Sequence, residues 1–499
     1  MLSALIIALA VIIAALGLRL LPLRLAPYGA GVDQWYWKAF IEEYRTTRKL
    51  PPDLQQLILD EANWYPPLFP LLMSWLPKAV FENHSTFVAI AIDIVRLALM
   101  LGVFWWRVGD LTGLAVAGTV YAFTPILVTY NVQLNPRGLG ALFLDITVLL
   151  AIFVQDGELT HYTVAVCGLV GGIILLTHKM TTQLMAFILL SAFALTFDWR
   201  YLTISIICVA SAMLLSGGYY LNVLRAHWDI VSFWNRNWTA LTAHPVRESP
   251  LYRENLSSES RGYHRTGIRG WLRRGIFLTA FNPWAWGALV VGTVVLAFNG
   301  PDNHVLFMLV AWLYLVLLFS ILTTVVPFLK CLGNGYLYVY NAATPSALIL
   351  GIVASQANAV TLLYAVYATL LALSVASLAA YLNEFRKSRT VKLEAALAVV
   401  IAHLKERPDG VVMCFPQHWH DVIAYFSGKK VLFGGHGYGF RKLDPIFPLV
   451  RQPICEIIKR YGVRYLVTYK NYLPDSFVND LPRSSVNRFG DYYLYEFQD

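Results

Sequence analysis

What most constrains this chain is the recurrence, from its first residues to about residue 382, of apolar runs close to twenty residues long. A bilayer core of about 30 Å is crossed by about 20 helical residues. Inside it every backbone amide must find its partner within the protein, which favours helices. Candidate spans fall near 3–25, 86–106, 112–130, 138–155, 162–177, 180–197, 201–222, 276–298, 303–327, 343–358 and 360–382, about eleven in all. Composition agrees: 14% of the residues are charged, against about 25% in soluble domains, and mean hydropathy is +0.55. The chain is therefore an integral membrane protein. Its opening, MLSALIIALAVIIAALGLRLLPLRL, lacks a basic n-region and a clear small-residue cleavage site, so it reads as a retained first span. The segment WYPPLFPLLMSWLP (64–77) is too short and proline-rich to span, and suits the headgroup level.

Three connections are longer than a bundle needs: residues 26–85, residues 223–275 and everything after about 383. Counting spans puts all three on one side of the membrane, so one face carries nearly all the polar chemistry. The basic stretches HRTGIRGWLRRG and RKSRTVK lean that face toward the cytoplasm by the positive-inside rule. From about residue 408 the pattern changes. GVVMCF, KKVLFGG, VRYLVTY and DYYLYEF read as short strands, and DVIAYFSG and LVRQPICEIIKRYG as helices. The expected organisation is a membrane bundle over 1–382, a linker helix over 383–407 and a soluble α/β domain over 408–499.

The net charge of +9 suits anionic headgroups or phosphate-bearing partners, and no nucleic-acid module is visible in the sequence. The five cysteines show no CxxC spacing and read as small apolar residues, with a Cys414–Cys455 disulfide left open. In GVDQWYW, Asp33 stands just after the first span beside Trp35, Tyr36 and Trp37. It is either a capping acid or a carboxylate whose basicity is tuned by partial desolvation. The rings are either pocket walls or an interfacial belt. Asp60 and Glu61 end the same loop, followed by Trp64 and Tyr65, and offer oxygens for a sugar hydroxyl or a divalent cation.

In NVQLNPRGLG, Arg137 opens a helix, where a cation opposes the helix dipole and asks for an anion, either a headgroup or a substrate phosphate. His178 and Lys179 occupy a sharp turn between apolar helices, where ionisable groups are functional candidates and a lysine can also snorkel to the surface. Lys330 and Tyr336 mark a later glycine turn, PFLKCLGNGYLYVYN. His418, His420 and Asp421 in FPQHWHD contain an HxH pair, a weak zinc pattern, and His436 lies in GGHGYG.

In this order, the stretches GVDQWYW, WYPPLFPLL, TPILVTYNVQLNPRGLGALFL, LTHKMTTQLMAFILL and LGNGYLYVYN resemble the GT-C superfamily of polyprenyl-phosphate-dependent membrane glycosyltransferases. The likeness covers the first 200 residues well and the rest loosely. It implies that Asp33 is the catalytic base, and that the crowded face and the C-terminal domain are extracytoplasmic, which overrides the charge-based orientation. It also implies a donor phosphate held among Arg137, His178, Lys179 and Lys330, a substrate pocket built from Trp35, Tyr36, Asp60, Glu61, Trp64, Tyr65 and Tyr336, and an acceptor that is a glycan, a lipid or a protein. Two departures stand out. No DxD pair is present, so a metal is an option and not an expectation, and Leu337 stands where related glycine turns would carry an arginine. The rival reading is a flippase or transporter of lipid-linked sugars, for which inverted repeats would be expected; none is visible in the sequence.

Overall fold

The computed structural model describes residues 1–26, 30–54, 62–153, 160–241, 243–252, 267–299, 303–356, 360–388, 393–432, 434 and 438–498. Among them, six helices are long and apolar enough to cross a bilayer: Leu2–Arg24, Lys78–Arg107, Lys179–Thr196, His304–Val325, Gly335–Gln356 and Leu363–Lys387. Two bent helix pairs raise the number to 8, and Leu111–Ala122 and His161–Leu175 are shorter apolar helices. Hydropathy predicts about eleven spans, and the difference is local: an apolar run does not reveal a corner inside it.

The expected span 201–222 ends as a helix at Leu215. Gly217 (φ 57°) and Gly218 (φ 84°) then turn the chain, and Tyr219–Ala240 leaves at 117°. Only glycine takes such dihedrals without steric cost. The expected span 276–298 begins inside the helix Gly267–Phe281, and the next helix starts at Pro283 after a bend of 84°. There Asn282 Oδ1 accepts the Ala285 N–H at 3.1 Å, with the proline at the first helical position. The expected span 112–130 breaks after Ala122 and restarts at Pro125.

The helix Gly335–Gln356 lies at the centre of the bundle, with 89% of its apolar window buried. Small residues bring it close to Leu111–Ala122. A Cβ on Gly351 would come within 2.8 Å of the Gly113 carbonyl oxygen and of Ala117, the tight approach on which membrane helix packing depends. The same bundle buries four ionisable side chains. Arg19 Nε donates to Asp93 Oδ2 at 2.7 Å, and Arg96 Nε donates to Asp145 Oδ2 at 3.0 Å. Tyr121 donates to Asp93 at 2.9 Å and Thr344 to Asp145 at 2.7 Å. Two arginines and two aspartates balance, so hydrocarbon surrounds a neutral cluster. Arg96 also lies 5.0 Å from the centroid of the Tyr340 ring, and Tyr340 donates to Asn131 at 3.0 Å. The cluster therefore leads to the turn that carries Arg137.

The C-terminal sheet has four strands: β1 (Val411–Cys414), β2 (Val463–Tyr469), β3 (Ser484–Phe489) and β4 (Tyr492–Phe497). Their order is β1-β2-β4-β3, with β1 parallel to β2 and the other pairs antiparallel. KKVLFGG, expected as a strand, contributes only the isolated bridge Val412–Val431. β3, with the polar sequence SSVNRF, was not foreseen; it is an edge strand with little to bury. The helix Val360–Lys387 extends past residue 382, and Ala395–Glu406 packs Leu397, Val400, Ile401 and Leu404 into the core formed by Val412, Cys414 and Tyr465. All five cysteines are free thiols, including Cys414 and Cys455.

The three long connections meet. Trp35 packs on Tyr425 and Phe426 with ring centroids 5.7 and 4.9 Å apart, and Tyr425 donates to Glu42 at 2.6 Å. Arg451 donates to Asn237 at 2.6 Å, Arg247 to the Asn471 carbonyl at 2.7 Å, and the Val450 N–H to the Pro245 carbonyl at 2.9 Å.

Candidate active site

Asp33 precedes the helix Gln34–Thr47, yet its side chain makes no capping hydrogen bond to that helix. Its backbone N–H donates to Gln133 Oε1 at 3.2 Å. Gly31 (φ 86°) lets the chain pass: a Cβ there would run into Gln133 Oε1. The first loop is thus latched to the turn 131–137. On that turn the Arg137 N–H donates to Asn135 Oδ1 at 3.0 Å, and the guanidinium lies 4.6 Å from the centroid of the Tyr130 ring. Its Nε and Nη1 are buried and have no hydrogen-bond partner among the described residues. Leaving a buried charged donor unmatched costs more than about 1–3 kcal/mol.

Tyr65 joins the two. It is buried, edge-on to Trp37 at 4.7 Å, and within electrostatic reach of both Asp33 and Arg137. Burial, then the Asp33 charge, pushes its phenol above the ordinary tyrosine range. Lys179 Nζ lies 5.8 Å from the Tyr65 ring centroid and also feels Asp33. Asp33, Tyr65, Lys179 and Arg137 therefore form one cluster, drawn from four separate stretches of sequence.

Other expected residues lie elsewhere or are occupied. His178 is the N-cap of Lys179–Thr196; its Nδ1 takes the Thr181 N–H at 3.4 Å and lies 3.0 Å from Thr181 Oγ1. Lys330 is buried 4.8 Å from the Trp238 ring centroid; burial, then Arg274, lowers its ammonium from the usual lysine value. It forms a second cationic station. Tyr336 stacks on Phe281 at 5.0 Å and is hydrogen-bonded to Tyr130, the ring beneath Arg137. Trp35 belongs to the contact with the C-terminal domain. Tyr36 is fully buried near Tyr219, Tyr65 and Asp421, and burial followed by these neighbours pushes its phenol up. Trp64 lies 5.0 Å from Tyr219 and helps line an apolar groove of about 960 Å³ with Leu68, Leu72, Phe143, Ile173 and Leu176.

Asp60, Glu61 and His436 lie outside the described residues. Among the described residues no three His, Cys, Asp or Glu side chains converge as a metal site requires.

A second cavity, of about 520 Å³, opens on the other flank of Asp33, between the membrane bundle and the C-terminal domain. His244 and His418 line it, and His418 feels both His244 and Asp33. Sequence reasoning noticed His418 only as half of an HxH pair and passed over His244 and Gln133. No spacing rule could have linked them, since contact across 385 residues of chain brings His418 to Asp33. The Arg19–Asp93 and Arg96–Asp145 pairs did carry a signal: all four residues lie inside expected apolar spans, where ionisable groups call for partners.

No family model matches the chain, and no curated protein matches it. Among solved structures, it is similar to ArnT of Cupriavidus metallidurans bound to undecaprenyl phosphate (TM-score 0.56, 12% identity, 98% of this chain and 97% of that one). It is also similar to the Archaeoglobus fulgidus oligosaccharyltransferase in the apo form (TM-score 0.56, 11% identity, 99% and 74%). The oligosaccharyltransferase AglB of the same organism, in complex with an inhibitory peptide and a dolichol-phosphate, superposes with a TM-score of 0.51 at 11% identity over 98% and 74%. At such identity the likeness speaks for architecture alone: the chain shares the fold of these membrane proteins.

Proposed function

We propose that this protein is a membrane glycosyltransferase that moves a glycosyl unit from a polyprenyl-phosphate donor to an acceptor hydroxyl, with inversion at the anomeric carbon. The observation that carries the reading is the convergence on Tyr65 of a carboxylate, Asp33, and a guanidinium, Arg137, whose buried Nε and Nη1 have no partner among the described residues. The donor's polyprenyl chain lies in the groove beside Trp64 and Leu68, and its phosphate reaches Arg137 and Lys179. Asp33 takes the proton as the acceptor oxygen bonds to the anomeric carbon and the phosphate oxygen leaves with its bonding electrons. The fixed cations at the leaving phosphate supply the larger share of catalysis, because in a dry site they need not reorganise as charge develops. Lys330 with Arg274 forms a further station for a lipid phosphate. The active face and the C-terminal domain are assigned to the extracytoplasmic side.

The test is transfer from labelled polyprenyl-phosphate sugars by the purified, reconstituted protein. Asp33→Asn should keep the fold and cut turnover by about 10²–10⁴-fold, the usual worth of general-base help. Near-normal transfer by that variant would sink the assignment. Movement of the lipid-linked sugar across the bilayer without product would favour the transporter.

A further inference from the structure

The cavity on the far flank of Asp33 differs in chemistry from the side that holds Arg137 and Lys179. Among the described residues no lysine or arginine lines it. Its walls offer the rings of Trp234 and Tyr472, the Gln417 amide and the imidazoles of His244 and His418, with Asp33 at one end. His244 Nδ1 lies 3.0 Å from the Tyr472 hydroxyl, which fixes that pair. Arg247, three residues from His244, is turned to other work: it donates to the Tyr472 and Asn471 carbonyls at 3.1 and 2.7 Å, and lies 4.8 Å from the Tyr472 ring centroid. Burial lowers both histidines from their ordinary value, so both are neutral near pH 7. His418 is exposed to the cavity although protein surrounds it.

We infer that this cavity is the acceptor subsite and that it takes a neutral glycosyl unit, presenting one hydroxyl to Asp33. Flat rings beside neutral donors and acceptors match a sugar's apolar face and its hydroxyl rim. Its volume of about 520 Å³ falls within the roughly 300–1,000 Å³ of small-ligand sites. An anionic acceptor would meet the Asp33 and Asp421 carboxylates, and among the described residues no lining cation offsets them. The two substrates are thereby sorted by charge across Asp33: the phosphate on the side of Arg137, the uncharged ring on the side of the C-terminal domain. The inference rests on the glycosyltransferase reading and narrows its acceptor to one class.

The experiment measures binding to the full-length protein in nanodiscs by saturation-transfer NMR. The probes are neutral trisaccharides of hexoses and pentoses, trisaccharides containing a uronate, and a hydroxyl-bearing peptide set. A separate arm follows thermal stabilisation by polyprenyl phosphate. At least one neutral trisaccharide should bind, and His418→Leu and Gln417→Leu should each weaken it about tenfold, or about 1.4 kcal/mol, while the polyprenyl-phosphate response stays intact. If His418→Leu does not fold, Gln417→Leu carries the test. Equal or better binding of uronates or peptides would overturn the inference. So would the absence of neutral-sugar binding at millimolar concentration, or binding indifferent to both variants. Loss of the polyprenyl-phosphate response in the wild-type protein would instead overturn the glycosyltransferase reading beneath it.

Discussion

Arg137→Met separates a substrate-binding guanidinium from a structural one, because the two roles predict opposite signs in the empty protein. In the wild type, Nε and Nη1 are buried without partners among the described residues, which costs about 1–3 kcal/mol per group. Against this stands the contact with Tyr130 at 4.6 Å, worth about 0.5–2 kcal/mol. Methionine keeps an apolar stem and removes the donors, so the empty variant should be as stable as the wild type or more stable by roughly 1–2 kcal/mol. The bound state behaves differently. Two charge-assisted hydrogen bonds to a phosphate are worth about 1.5–3 kcal/mol each, so their loss should weaken lipid-phosphate binding about 10²–10⁴-fold. The assay is thermal unfolding with and without a polyprenyl phosphate, where saturation at about 100 times Kd stabilises by about 2.7 kcal/mol. The wild type should show that shift and Arg137→Met should lose it. A variant that loses several kcal/mol when empty would make the guanidinium structural. An undiminished lipid-phosphate shift would place the phosphate elsewhere.

Three further outcomes are expected. Asp93→Asn strands Arg19, whose Nε donates to Asp93 at 2.7 Å in a fully buried pair; it should cost about 3–5 kcal/mol in thermal unfolding, and adding Arg19→Gln should recover part of this. His420 is buried, its Nε2 accepts the Cys414 N–H at 3.2 Å, and burial lowers it to about 4. The unfolded chain therefore binds the extra proton between about pH 6.5 and 4. Stability should be complete above that window and fall through it by up to about 1.4 kcal/mol per pH unit, with the slope flattened in His420→Asn. Labelling of half-buried Cys455 on intact cells by an impermeant maleimide, in a Cys331→Ser background, should precede permeabilisation; labelling only afterwards would restore the cytoplasmic orientation suggested by the basic loops.

Reading the chain without its structure goes far where the physics is local. Spans show because hydrocarbon demands long apolar runs, and VRYLVTY and DYYLYEF match β2 and β4 because buried strands concentrate β-branched and aromatic residues. The reading weakens where a property depends on a single backbone angle. Gly217–Gly218 and Asn282–Pro283 turn expected spans into corners while leaving hydropathy almost unchanged. It stops where partners are far apart in sequence.

The membrane class, the crowded polar face and the suspicion that falls on Asp33 and Arg137 belong to the sequence, because residue type and proximity to a span end suffice to raise them. Tertiary structure alone decides that Asp33 leaves its own helix uncapped and is latched by Gln133. It alone decides that His178 is taken up in capping, and that His244 and His418 come from distant segments to the other flank of the acid. Such roles are set by which atoms fill the last few ångströms around a polar group, and that is settled only when the whole chain has packed.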